Sequence, residues 1–193
     1  MTPRSYQVRI ISGRFKGRAL RYPSGKHLRP TMQRTKSSVF ETLGERIRGA
    51  VFVDLYAGAG SMGLEALSRG ASAVYLVERD DRALRFLRDN LDHLSLESPE
   101  AVVVRSDAND FLAGPFENIN ADIVFADPPY QSNDAELLLE FFDSVRYSRK
   151  QLVVIEHDKG LQIPDFTRLE RIRDRAFGRT TISYFETAGE TGP

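Results

Sequence analysis

The stretch VFVDLYAGAGSMGLEAL, residues 51–67, carries an apolar strand-like run directly into three glycines and out into a helix-like run. Gly58, Gly60 and Gly63 stand in G-x-G-x-x-G spacing. After a strand, that spacing lets backbone approach a ligand closely and lets the following helix pack tightly on the sheet. It points to an open α/β sheet with a ligand crevice at the carboxyl ends of its strands, although the spacing alone is weak evidence. Nicotinamide and flavin domains use the same spacing, so it leaves the ligand open.

The pattern repeats downstream. AVYLVE (73–78), AVVVRS (101–106), DIVFA (122–126) and QLVVIEH (151–157) are short apolar runs of the kind buried on both faces of a parallel sheet. Helical patterns separate them, and the one starting at Asp80 places Leu84, Leu87, Leu91 and Leu94 on one face. LERIRD (169–174) and RTTISYFE (179–186) predict a terminal antiparallel pair around Phe177-Gly178. Strands alternating with helices specify a doubly wound, mostly parallel sheet. Ahead of it, residues 6–22 predict a hairpin, and residues 31–44 a helix capped at Thr31 or Thr35 and ended by Gly44. The expected organisation is a basic hairpin and helix over 1–44, the α/β domain over 45–188, and a frayed tail at 189–193.

Net charge is zero over the 193 residues, but it is unevenly placed, because residues 1–40 hold ten Lys/Arg and no Asp/Glu. Tyr6, Phe15, Tyr22 and Phe40 are interleaved with the basic side chains. This is the composition of a polyanion-binding face, with Arg9, Arg14, Lys16, Arg18, Arg21, Arg29 and Arg34 as candidate nucleic-acid contacts and Arg4, Lys26 and Lys36 in the same run. The absence of cysteine excludes disulfides, thiolate catalysis and cysteine-bound zinc, and His27, His93 and His157 are too scattered to suggest a metal site. His157 has no partnered serine or cysteine pattern and reads as structural. No apolar run approaches the roughly 20 residues that span a membrane. A cytoplasmic monomer without a metal is expected.

Four acidic residues close four successive strands: Asp54, Glu78, Asp107 and Asp127. Asp54 lies inside the crevice, where a carboxylate disfavours a pyrophosphate and suits an ammonium group. Glu78 is about 20 residues past the glycines, placed to accept hydrogen bonds from ribose hydroxyls. Asp107 is placed to accept from an adenine amino group. Ammonium, ribose and adenine together describe S-adenosylmethionine, with Tyr56, Ala57, Gly58, Gly60, Gly63, Arg79 and Ala108 completing the candidate cofactor-binding set. Acidic residues also cap helices that follow strands, and that role stays open for Asp107 and for the Glu78 to Asp81 cluster.

The fourth strand runs into Asp127, Pro128, Pro129 and Tyr130. The prolines fix φ at two successive positions and remove two N–H donors, leaving a stiff loop rich in acceptors. The Asp127 carboxylate and nearby carbonyls are suited to an exocyclic amino group, and Tyr130 offers a ring face beside a flat base. These four are the candidate catalytic residues.

D-L-Y-A-G-A-G-x-x-G-L-E-A-L-S-R-G, then V-E-R-D and D-P-P-Y, preceded by R-I-I-S-G-R-F-K-G-R and L-R-P-T, resembles the RsmD-type family of bacterial 16S rRNA guanine-N2 methyltransferases. The resemblance runs from Arg9 to about Phe185. It implies a class I, Rossmann-like methyltransferase fold with a seven-stranded sheet. S-adenosylmethionine would lie over Gly58 and Gly60, with Glu78 on its ribose, Asp107 near its adenine, and Asp127 to Tyr130 facing the target base. Ribosomal RNA, free or within a 30S particle, is the implied partner. One stretch departs, TMQRTKSS, where Gln33 stands in place of an acidic residue of the family. Three alternatives remain at this level: adenine-N6 methylation of DNA or RNA, a catalytically silent RNA-binding or assembly protein, and a nicotinamide oxidoreductase, which Asp54 disfavours.

Overall fold

The computed structural model describes residues 8–22, 30–129 and 132–189. The five apolar runs become strands β1 (Val51–Asp54), β2 (Ala73–Glu78), β3 (Ala101–Arg105), β4 (Ile123–Ala126) and β5 (Leu152–Asp158). Each is short and finds helices on both faces of the sheet, which is why their side chains are apolar with little alternation. The terminal hairpin adds β6 (Leu169–Phe177) and β7 (Thr180–Thr187). The seven strands are ordered β3-β2-β1-β4-β5-β7-β6, with β7 antiparallel to both its neighbours. The order reverses between β1 and β4, and open α/β sheets bind ligands at such a switch point, outside the strands' carboxyl ends.

Helices α1 (Pro30–Leu43), α2 (Ser61–Ser68), α3 (Asp81–Leu94), α4 (Ala108–Leu112) and α5 (Asp134–Ser144) complete the layers. Leu84, Leu87, Leu91 and Leu94 of α3 are all buried, as their spacing requires. One face of the sheet packs against α1, α2 and α3 through Phe40, Leu64, Leu84 and Phe52. The other packs against α4 and α5 through Phe111, Leu138, Phe142 and Val124.

The start of α1 differs from expectation. The helix begins at Pro30, ahead of both threonines, and Thr35 is buried within it. A proline fits a first helical turn because its missing N–H would have no partner there. At the other end Leu43 is the last α-helical residue, and Gly44, with φ +52°, opens a short 3-10 turn.

The N-terminal hairpin is also shorter than a strand pair. Residues 8–20 double back through one antiparallel bridge, Arg9 with Ala19, supported by hydrogen bonds from Ile10 N–H to Arg18 C=O and from Leu20 N–H to Val8 C=O. The loop finds its partners in α2 instead of in a longer ladder. The Glu65 carboxylate accepts from the N–H groups of Ile11 at 2.7 Å and Ser12 at 3.0 Å. Arg14 N–H donates to the Ser68 carbonyl and Phe15 N–H to the Ser68 hydroxyl. Val8, Ile10 and Leu20 are buried in the same core cluster as Phe40 and Phe52, so the basic segment is packed on the sheet's helical layer.

Candidate active site

A cavity of about 840 Å³ opens at the carboxyl ends of the central strands. Its walls are assembled from consecutive strand-to-helix connections. β1 delivers Asp54, Tyr56, Ala57 and Gly58; β2 delivers Glu78 and Arg79; β3 delivers Asp107 and Ala108; β4 delivers Asp127, Pro128 and Pro129. Parallel strands all end on the same side, so residues spread over some 75 positions of chain converge there.

Asp54 is 1% exposed, at the end of β1. Its Oδ2 accepts from Gly63 N–H at 3.1 Å, while Oδ1 is buried without a hydrogen-bond partner. Burial pushes its carboxyl up to about 7, against the opposing pull of the Gly63 N–H. The Tyr56 N–H adds a weaker opposing pull, and a buried carboxylate with so few donors is a costly arrangement that a cationic ligand would relieve.

Glu78 bridges the loops on either side of it. One oxygen accepts from Gly58 N–H at 2.8 Å and the other from the N–H groups of Arg79 and Asp80. The capping alternative holds for its neighbour Asp80, whose carboxylate accepts from Ala83 N–H at the start of α3. Asp107 caps α4 through Asn109 N–H and pairs with Arg79 at 2.7 Å, while also lining the cavity. Capping and cavity lining are therefore compatible, because a helix that starts at a strand's end presents its cap to the crevice.

Gly60 and Gly63 do not line the cavity. Gly60, at φ +88°, has Leu87 so close that a Cβ would lie 2.6 Å from its Cδ1, and a Cβ on Gly63 would lie 2.3 Å from Leu76 Cδ2. Both let α2 sit tightly against the sheet and α3, which presents the Gly58 turn to the cavity.

The N-terminal segment supplies a wall that the sequence pattern did not reveal. Val8, Tyr22, Gln33, Thr35 and Lys36 line the same cavity as the glycine loop. The Tyr22 hydroxyl is pushed up to about 12, chiefly by burial, and stays protonated as a donor; a hydrogen bond to Ser61 opposes that rise. Asn90 of α3, fully buried, ties this segment down: its amide exchanges hydrogen bonds with Arg21 N–H and C=O and also donates to the Ala59 carbonyl. Ser61, Met62, Ser106, Phe125 and Glu156 also line the cavity and were not singled out from sequence. Only their positions near strand ends or at a helix start could have marked them.

The basic face divides in two. Arg9, Arg14, Lys16, Arg18, Arg21 and Arg34 are exposed. Arg14 lies against Phe15, pairs with Glu100 at 2.9 Å, and Arg21 approaches Asp89 at 3.9 Å. Lys36 is the correction: it is 3% exposed, donates to the Arg9 carbonyl and the Ser61 hydroxyl, and sits 3.4 Å from Glu65. It is a buried strut and not part of an open polyanion surface. Arg29 and Tyr130 lie outside the described residues, as do Arg4 and Lys26.

His157 is buried, with Nδ1 at 2.8 Å from the Asp158 carbonyl and Nε2 at 2.8 Å from the Ser183 hydroxyl, which in turn donates to Asp174. That network pins β5, β6 and β7 together and lies apart from the cavity lining. Among the described residues there is no cluster of His, Cys, Asp and Glu able to hold a metal, and no helix long and apolar enough to cross a membrane.

Residues 8–186 match the family model described as conserved hypothetical protein 95. The chain belongs to that family. Within reach of this family, "Putative rRNA methyltransferase YlbH" of Bacillus subtilis is 34% identical over 94% of this chain and all of its own length. Ribosomal RNA small subunit methyltransferase D of Haemophilus influenzae is 35% identical over 82% of this chain and 84% of that protein. The solved structure of yhhF from Escherichia coli superposes with a TM-score of 0.84 at 31% identity, covering 96% of this chain and all of that one. A distant structure complexed with SAH, SMU.776, shares the fold alone, with a TM-score of 0.60 and 13% identity over 83% of this chain and half of its own. The fold of this conserved hypothetical protein 95 member is that of the S-adenosylmethionine-dependent methyltransferases. The lining fits a donor that carries an ammonium group and hydroxyl and amino donors, because it holds the buried Asp54 carboxylate and acceptor oxygens at Glu78 and Asp107.

Proposed function

We propose that this protein methylates the exocyclic N2 amino group of a guanine in 16S rRNA, with S-adenosylmethionine as donor. The observation that carries the reading is the convergence, in one cavity, of the Asp54, Glu78 and Asp107 carboxylates with the Asp127-Pro128-Pro129 loop, walled by the N-terminal basic segment. Relatives named as rRNA methyltransferases supply the substrate class.

When bound, S-adenosylmethionine supplies an electrophilic methyl group. Asp54, Tyr56, Ala57 and Gly58 hold the donor's amino-acid end, Glu78 its ribose, and Arg79, Asp107 and Ala108 its adenine. A guanine amino group is a poor nucleophile because its lone pair is delocalised into the ring. The Asp127 carboxylate and the Pro128 carbonyl accept its two hydrogens, localising the lone pair and aiming it. As the amino nitrogen gains the methyl group, one of its protons passes to the Asp127 carboxylate, which is exposed and releases it to solvent. Positioning of this kind is worth up to roughly 7–11 kcal/mol in well-aligned systems. Tyr130 stacks on the base, and Arg9, Arg14, Lys16, Arg18, Arg21, Arg29 and Arg34, within the 1–44 extension, contact RNA phosphates.

The direct test is methyl transfer from radiolabelled S-adenosylmethionine to small-subunit RNA and to 30S particles from cells lacking the enzyme, with nucleoside analysis. N2-methylguanosine is expected. N6-methyladenosine would replace the reading with adenine methylation, and donor binding without any transfer would leave a binding protein.

Asp54 makes donor binding pH-dependent. Its native pKa of about 7 lies above the ordinary carboxyl value. The folded protein therefore holds this proton more tightly than the unfolded chain, and the stability Asp54 contributes in acid is lost as pH rises toward 7. A cationic donor prefers the ionised form. Its affinity should fall about tenfold for each pH unit below about 7, and Asp54→Asn should bind weakly with little pH response. Calorimetric titrations from about pH 5.5 to 7.5 check this, and an unchanged affinity across that window would remove Asp54 from the ammonium site.

A further inference from the structure

The acceptor end of the cavity holds a carboxylate that the chemistry above leaves unused. Glu156, near the carboxyl end of β5, lines the cavity together with Asp127, Pro128 and Pro129. β4 and β5 run parallel with Ala126 opposite Ile155 as their last pair, and Asp127 and Glu156 are the residues that follow, both lining the cavity. Adjacent strands lie about 4.8 Å apart. Ile123 and Phe125 pack into the same core cluster as Leu152 and Val154. Side chains alternate along a strand, so Glu156 continues the face of Leu152 and Val154, and Asp127 follows β4 directly into the same cavity.

A carboxylate oxygen accepts more than one hydrogen bond, so two carboxylates in one cavity suit a ligand edge with two neighbouring donors. Guanine has one: its N2 amino group stands beside N1–H. Adenine sets its amino group beside an N1 lone pair, which would face a carboxylate acceptor to acceptor and leave it unsatisfied. We propose that Glu156 is the base-specificity residue of this site. Its carboxylate accepts from the guanine N1–H while Asp127 accepts from the N2 amino group, so guanine is held and adenine is rejected. No bond or proton is transferred to Glu156; it orients the base. The inference rests on the guanine-N2 reading and adds to it the group that tells guanine from other purines.

The test first locates the modified guanine in 16S rRNA with the wild-type enzyme. RNA fragments ligated to carry either guanine or 2,6-diaminopurine at that position are then compared. Diaminopurine keeps the N2 amino group and replaces N1–H with a lone pair. The wild type should favour guanine about 10- to 100-fold in kcat/KM, the effect of one hydrogen bond to a charged group. Glu156→Gln, whose amide can turn to donate, should narrow that ratio to within about threefold by losing rate on guanine and gaining it on diaminopurine. Glu156→Ala should narrow it by losing rate on guanine alone. Donor affinity, measured by calorimetry on the same variants, should stay within about twofold and reports that the fold is intact. A Glu156→Gln enzyme that keeps the wild-type ratio, or slows both substrates equally, overturns the assignment. If the wild type forms no N2-methylguanosine, the guanine reading falls and this one with it; if it does, the ratio judges Glu156 alone.

Discussion

Asp127→Ala is expected to lower kcat for methyl transfer by about 10²- to 10³-fold, the cost of removing one preorganised polar group at a reacting centre, with donor affinity nearly unchanged. Asp127 is exposed, follows the last residue of β4, precedes Pro128 and Pro129, and lines the cavity. Its removal leaves no cavity in the core, so thermal stability should barely move. The backbone of Pro128 remains to accept one amino hydrogen, which is why the loss stops short of abolition. Asp127→Asn distinguishes charge from shape, because its amide presents one acceptor and one donor where the carboxylate presents two acceptors. Single-turnover rates alongside calorimetric donor binding check the prediction. A variant that loses donor affinity and turnover in equal measure would show that Asp127 shapes the cavity and does not aim the base.

Glu65→Ala should be the most destabilising change in the N-terminal half. Glu65 is 0% exposed and its two oxygens serve Ile11 N–H, Ser12 N–H, Arg69 at 2.7 Å and Lys36 at 3.4 Å. Removing it leaves the Lys36 ammonium without a counter-charge, on the Arg9 carbonyl and Ser61 hydroxyl, when burial already pushes its pKa down and Glu65 supports it. Breaking a buried ion pair from one side costs about 3–5 kcal/mol, and at this chain length each kcal/mol moves Tm by roughly 2–4 °C. A drop of about 6–20 °C is therefore expected. The hairpin that carries Arg9, Arg14, Lys16 and Arg18 is anchored by the same carboxylate, so RNA affinity should fall as well. Calorimetric unfolding together with RNA binding tests both consequences. A Tm within about 2 °C of the wild type would mean that Lys36 and the two backbone donors are satisfied without Glu65.

These two residues illustrate what a linear reading can and cannot reach. The placement of Asp127 was legible because its signal is local: the apolar run IVFA, a carboxylate and two prolines mark a strand end and a stiff turn-out within seven letters. Glu65 was not. In GLEAL it looks like any residue of an amphipathic helix, and its role depends on a hairpin more than fifty positions earlier in the chain. Lys36 was read with the other cations of the basic run, since charge is visible in a sequence and burial is not. The helix caps were half legible: Asp80 and Asp107 stand where caps belong, but only the fold shows that Asp107 also faces the cavity.

The sequence by itself determined the alternation of strand and helix, the glycine turn, the acidic residues at four strand ends, and the parallel core with its antiparallel terminal pair. Those follow from spacing, φ restrictions and apolar periodicity, which act over a few residues. The tertiary structure decided that the N-terminal segment walls the cavity through Tyr22, Thr35 and Lys36, that Gly60 and Gly63 serve helix packing, and that Glu156 lines the same cavity as Asp127. Each of these depends on which strands pair and which faces meet, and such non-local pairing is specified by the whole core and not by any stretch of its letters.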